Sequence, residues 1–403
     1  MEAISHKNCH MGRFGNKPMI SSLPEKVSNQ IYRLLRITED DAMDGDIRIF
    51  DRKEDNGDDL ILLHYINMIP IVYHVRGIIF DISDEDNVFI AASSFPHTEE
   101  YNPTVKLAGS LEVPDDTIVT KAYEGTVIRV FKGAEKWHMA THKKINGRRS
   151  RWCGPSFGDI FDELWQPDDH PYDDYLDETG CYVFLISHPE NRLVSVITEP
   201  TLRLIGKFSC GSAHFDHFVS LKTDHPNVIK QTSIKFSSGL DLFEKARNID
   251  WKECTGLLLT RYCEDGLKLS CLKLVPEEYS SRRSLRGNEP NFRLRYLEHK
   301  TDNTDSLEKF KELFTEKKKY FEQIEKDYDE LPNYLAKVYN YKIATKAKIP
   351  QDEYYITETT KRHYRRELSL EDNLYERLKN SSARQLNALI RRMYSGEVFE
   401  NDQ

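Results

Sequence analysis

The chain has 403 residues, with 57 Lys and Arg against 66 Asp and Glu for a formal net charge of -9, and a mean hydropathy of -0.63. With 39% hydrophobic and 31% charged residues, the composition is that of a soluble globular protein with a charged surface; it excludes a disordered chain, and the length points to two or three domains. No apolar run reaches the roughly 20 residues of a membrane-spanning helix. The opening MEAISHKNCHMGRFGNKPMISS lacks the apolar stretch of a secretory signal, so a cytoplasmic protein with no membrane partner is expected.

In chain order, residues 1–59 form an N-terminal arm with a short helical pattern (Val27, Ile31, Leu34, Leu35) that runs into the acidic loop EDNGDD. From Leu60 the texture changes. LILLHYINMIPIVYHVRGIIFDI, NVFIAAS, TVIRVF, KWHMATH, CYVFLI, RLVSVIT and GLLLTRY are rich in β-branched and aliphatic residues and read as strands. Turn pairs at Lys132-Gly133 and Asp265-Gly266 separate some of them.

Beyond Lys300, Leu307, Phe310, Leu313, Phe314, Phe321 and Ile324 fall at helical spacing, with charges on the opposite face. Ser369 with Asp372 resembles a capping box, and SARQLNALIRRMY predicts a further helix. Seven scattered cysteines without a CxxC pair point to reduced thiols rather than a disulfide framework.

Four blocks carry the functional argument: VRGIIFDI, then VTKAYEGTVIRVF, then KWHMATHKKI, then YVFLISHPENRLV. Their order and spacing resemble the adenylating domain of the T-even phage RNA ligases that repair broken tRNA, a family with relatives in large DNA viruses. The resemblance spans roughly residues 60–300 and is of moderate specificity. It implies an α+β fold: a ligase-type nucleotidyltransferase domain of antiparallel sheets with flanking helices at 60–300, then an all-α domain at 301–403. In such a site a lysine amine attacks the α-phosphate of ATP to give lysyl-AMP, with Mg²⁺ assisting departure of pyrophosphate.

The resemblance assigns the catalytic roles to Lys121 and Glu124, and the cofactor-binding roles to Arg76, Gly125 and Lys273. The departures are as informative. The family's Lys-x-Asp-Gly puts the nucleophile at Ala122, and Lys121 is one residue off, which on a strand turns its side chain to the opposite face unless a bulge restores it. The glutamate of the FExxxPxNR block falls at Leu185, the Glu-Gly pair appears as Thr255-Gly256, and one of two paired lysines becomes Val275. Members of a coupled site lose orders of magnitude in rate singly, so four such losses point to a degenerate site.

Residues 132–151 gather Lys132, Lys136, Lys143, Lys144, Arg148, Arg149 and Arg151, interleaved with Trp137, His138 and Trp152. Cations with aromatic faces suit a phosphate backbone and stacked bases, and Lys143, Lys144, Arg148, Arg149 and Arg151 are the RNA-binding candidates. The competing reading is a solvated hairpin face, and the same choice holds for Arg282, Arg283, Arg286, Arg293 and Arg295. Cys210, His214 and His217 have metal-like spacing but lack a fourth ligand, so no metal site is expected there. The acidic run Asp168, Asp169, Asp173, Asp174, Asp177 and Glu178 reads as a solvated linker.

The expected protein is therefore RNA-ligase-like, acting on or binding RNA ends (tRNA among them) with a degenerate site, in host cytoplasm, virus factory or virion. Its alternatives are an active ATP-dependent RNA ligase forming lysyl-AMP on Lys121, with ATP and Mg²⁺ as cofactors, and a non-catalytic viral scaffold or interaction protein.

Overall fold

The computed structural model describes residues 17–396 except 56–57, 105–112, 135, 153, 210–213, 263–268 and 303. The chain divides into two compact units, Met1–Ser280 and Ser281–Gln403. The fold is α+β, with several sheets followed by a helical region. The two units meet at 280/281, and helices begin before Lys300.

The first unit opens with helices α1 (Glu25–Leu35) and α2 (Glu39–Asp44), the latter held by a Thr38/Asp41 capping box. Strands β1 (Ile47–Asp55), β2 (Asp58–Tyr65), β3 (Arg76–Asp81) and β4 (Phe89–Ala92) form an antiparallel sheet in that order. Helix α1 and β1, within the N-terminal helical segment of residues 1–59, pack and pair with this sheet. LILLHY is apolar at nearly every position because both faces of β2 are covered. Ile61 and Leu63 pack toward α1 (Val27, Ile31, Leu35), while Leu60 and Leu62 join a second core shared with the next sheet.

Next come β5 (Thr98–Tyr101), β6 (Ile118–Ala122), β7 (Thr126–Lys132) and β8 (Trp137–Ala140), followed by α3 (Phe157–Trp165) and the short α4 (Tyr172–Tyr175). Then follow β9 (Gly180–Ser187), β10 (Thr201–Ser209), β11 (Phe215–Asp216) and β12 (Val228–Lys230). The second sheet runs β11-β10-β9-β7-β8, with β12 beside β10. Its β9 divides by parity: Cys181, Val183 and Leu185 face the first sheet, while Tyr182, Phe184 and Ile186 pack with Ile160, Phe161 and Trp165 of α3.

The third sheet, β5-β14-β13-β6, adds β13 (Gly256–Tyr262) and β14 (Leu269–Leu274), with α5 (Gly239–Arg247) on one face. RLVSVIT is not a strand: residues 192–198 form a loop whose amides are engaged by a side chain described below. The Asp265-Gly266 turn lies outside the described residues.

Helix α6 (Glu277–Arg286) contains the unit boundary. The second unit continues with α7 (Phe292–Asp302), α8 (Thr304–Leu313), α9 (Lys318–Thr345), α10 (Gln351–Arg362), α11 (Leu370–Leu378) and α12 (Ala383–Ser395). Leu307, Phe310, Leu313, Phe314, Phe321 and Ile324 are all buried, as their spacing implies. The Ser369 hydroxyl accepts from the Asp372 amide at the start of α11. Arg392 of α12 binds Asp352 at 2.7 Å and the fully buried Glu353 at 2.6 Å, both on α10.

Candidate functional site

The register of the third sheet decides where each candidate lysine points. Lys121 pairs with Leu257, which pairs with Leu274, which pairs with Tyr101. Cross-strand partners share a face, so Lys121 lies on the side where Val119, Leu257, Leu259 and Leu274 meet Leu242, Phe243 and Ala246 of α5. The adjacent row, Thr120, Leu258, Lys273 and Glu100, faces the other way, with Cys271 and Leu258 in the core shared with the first two sheets. The β6–β13 ladder runs without a bulge from Ile118 to Ala122, so Ala122 shares the Lys273 face and Lys121 does not.

Lys121 forms an ion pair with Glu253, and that hydrogen bond raises its pKa and holds it as an ammonium. Lys273 lies 3.5 Å from Glu100 on the neighbouring strand. The structure therefore does not bring Lys121 and Lys273 together.

Glu124 is buried, and its carboxylate accepts from the amides of Leu193, Val194 (2.8 Å) and Ser195 (2.9 Å) and from the Tyr279 hydroxyl (3.0 Å). Three successive amides and a phenol satisfy a carboxylate nearly completely, which leaves it little capacity for a ribose. Gly125 is required by close approach: a Cβ there would stand 2.4 Å from the Ile186 carbonyl oxygen. Of the altered positions, Leu185 and Val275 are core residues and Thr255 donates its hydroxyl to the Ala122 carbonyl at 2.8 Å. The places where the resembled family has a carboxylate or a second lysine are spent here on packing and strand pairing.

Arg76 and Gly77 open β3. Gly77 has φ +84°, and a Cβ there would lie 2.4 Å from the His142 carbonyl oxygen, so glycine lets the 141–144 turn settle against the strand. Around this contact gather Arg76, His64, Arg129, His142 and Lys143. Arg129, fully buried in the middle of β7, donates to the Ser93 carbonyl (3.1 Å) and the Thr141 carbonyl (2.8 Å), while its Nε has no hydrogen-bond partner among the described residues. The Nε2 of His142 is likewise closed to solvent and unpartnered.

Burial, and after it the positive charge of Lys143, Arg76 and Arg129, push His64 down to about 3. His142 is driven well below its ordinary value by burial and by Arg76, Arg129, His64 and Lys143. Lys143 is lowered by burial and by Arg76. The positive charge here is that of Arg76, Arg129 and Lys143, while His64 and His142 are held neutral.

The wider basic cluster divides. Lys144 pairs with Asp51 (3.5 Å), Arg148 with Asp162 (2.6 Å), and Lys132 with Asp173 (3.2 Å), which also accepts from the Trp137 indole at 2.8 Å. Part of the acidic run is therefore counter-charge rather than linker. Arg149 and Arg151 are exposed. In the second unit, Arg286 donates to the Glu289 carbonyl (2.7 Å), Arg293 to Asn387 (2.7 Å) and Arg295 to Glu298 (2.9 Å).

His217 is buried against Thr260 at 2.9 Å, burial pushing its pKa to about 4, and Cys210 lies outside the described residues. Among the described residues no group of three His, Cys, Asp or Glu could hold a metal ion. Sequence reasoning missed Arg129 and His142. The available signal was a lone arginine inside the apolar strand TVIRVF.

No family model matches the chain. It is 26% identical over 377 residues to the "Immediate-early protein ICP-46 homolog" of Invertebrate iridescent virus 6, covering 86% of this chain and 79% of that protein. It is 27% identical over 194 residues to "Immediate-early protein ICP-46" of Frog virus 3 (isolate Goorha), which covers 43% of this chain and 48% of that protein. The homologue from Invertebrate iridescent virus 3 is 24% identical over 297 residues, 69% of this chain and 62% of its own. Among solved structures, an archaeal ATP-dependent RNA ligase (form 2) superposes with a TM-score of 0.43 at 11% identity, over 91% of this chain and 80% of that one. A putative ATP-dependent DNA ligase from Aquifex aeolicus gives 0.35 at 12% identity, over 90% and 77%. In sequence, then, the chain is similar to immediate-early proteins of iridescent viruses.

Proposed function

We propose that this is a virus-encoded protein of nucleotidyltransferase descent that binds phosphate-bearing RNA ends without forming lysyl-AMP. One observation carries the reading: the β6 register turns Ala122 to the Lys273 face, and Lys121 away to Glu253. A nucleophilic amine must be deprotonated and within reach of the α-phosphate. Lys121 is held charged by a carboxylate on the opposite side of the sheet.

The residues present do not fit Mg-ATP adenylation. Glu124 is sequestered, and Leu185 and Thr255 offer no carboxylate for a metal or a ribose. They fit an anion better: Arg76, Arg129 and Lys143 bring positive charge to the Gly77 contact, where Arg129 Nε and His142 Nε2 are unpartnered among the described residues. The ordered blocks favour RNA as the source of that anion, and the exposed Arg149 and Arg151 extend the same basic segment.

The test incubates the full chain with α-labelled ATP and Mg²⁺ or Mn²⁺, beside Lys121→Ala. It then measures retention of 5′-phosphorylated and 5′-hydroxyl single-stranded RNA on filters, with Arg76→Ala as control. The expected result is no labelled protein, preference for the 5′-phosphate, and weaker binding by Arg76→Ala. A labelled band that disappears in Lys121→Ala would instead establish an active ligase.

A further inference from the structure

The helical unit carries an open groove of about 390 Å³ between α7, the end of α8 and the first turns of α9. Its size lies within the roughly 300–1,000 Å³ of small-molecule sites. Tyr296 and Phe321, whose rings stack 5.0 Å apart, are among its lining. The aliphatic stems of Lys311, Lys318, Glu312 and Glu322 supply much of the wall.

The charges around the groove are of two kinds. Lys311 is engaged by Glu308 at 3.0 Å, and its Nζ lies 5.8 Å from the centroid of the Tyr296 ring. Glu325 is committed through both oxygens, to the Tyr296 hydroxyl and to Lys300 at 2.5 Å. Glu312, Glu322 and Lys318 have no hydrogen-bond or ion-pair partner among the described residues. The uncommitted charge lining the groove is thus two carboxylates against one ammonium.

An apolar body would occupy the groove, and an attached cation would meet the two carboxylates. We propose that this groove binds an amphipathic organic cation: an aromatic or short alkyl body bearing an ammonium or guanidinium group. The site is independent of the RNA reading, because every residue in it belongs to the second unit.

Three probes of one shape separate the possibilities on the full chain: 3-phenylpropylammonium, 3-phenylpropanol and 3-phenylpropanoate, followed by saturation-transfer NMR and calorimetric titration. The ammonium should bind, the alcohol about fivefold more weakly, and the carboxylate more weakly still. Glu312→Gln with Glu322→Gln, both surface changes, should remove the preference for the ammonium. Lys318→Gln should preserve it, and Thr315→Trp should block all three probes. Equal binding of the probes, preference for the carboxylate, or no binding at all would each overturn the proposal. So would a preference for the ammonium that survives the double glutamine variant.

Discussion

The two faces of the β5-β14-β13-β6 sheet are built from the same four strands, yet they hold their lysines under opposite conditions. On the α5 side Lys121 sits half exposed in an ion pair with Glu253, among leucines that fasten a helix. On the other side Lys273 lies mostly buried near Glu100, in line with Thr120 and Leu258. The difference comes from a single residue of offset in β6. Strand geometry has a period of two, so Lys121 and Ala122 are neighbours in sequence and strangers in space. A one-residue change of parity is enough to move a side chain from one face of a sheet to the other.

The largest expected effect comes from what fixes that parity. Glu124 clamps the β6–β7 turn onto residues 193–195 and Tyr279, so Glu124→Ala strands three amides and a phenol. Loss of about 3–5 kcal/mol in urea unfolding is expected, and Glu124→Gln should recover part of it.

Next in size is a pH effect on the cation cluster. His64 has a folded pKa of about 3 against an ordinary 6.5. As pH falls below 6.5 the unfolded chain takes up a proton that the folded chain refuses until about pH 3. Stability is therefore complete above 6.5 and declines through that window, by about 2 kcal/mol from His64 at pH 5. His142 acts in the same direction. Unfolding curves against pH should flatten in His64→Gln, whereas an unchanged slope would remove the cluster from the account.

The smallest effect is expected at Lys121. Its partner is exposed, so Lys121→Ala should change stability by less than about 1 kcal/mol, measured by urea unfolding, and leave RNA retention unaltered. A large loss of either would mean that the α5 side of the sheet does more than fasten a helix.

Much of the fold was legible in the sequence because its signals are local. The parity of CYVFLI, the 3.6-residue spacing from Leu307 to Ile324 and the Ser369 cap each declare themselves within a few residues. The one-residue offset of Lys121 was legible too, since it needs only the period of a strand. RLVSVIT misled because its apolar, β-branched residues suit a strand, while a buried carboxylate some seventy residues upstream takes its amides instead. The basic cluster was only half legible. Whether Lys144 or Arg148 is neutralised depends on Asp51 and Asp162, partners that no local pattern reveals. The same holds for α1 and β1, whose membership in the body rests on pairing with β2.

The third sheet has a further consequence, for the making of the chain. Ala122 and Thr255, which tie β6 to β13, are 133 residues apart, and the whole second sheet lies between them. At a synthesis rate of about 5–20 residues per second, β6 waits on the order of ten seconds before its partner leaves the ribosome. An apolar strand with an open edge is a template for wrong pairing during that interval, and a lysine within it is a known deterrent. Lys121 is such a lysine, standing within IVTKA before GLLLTRY is made.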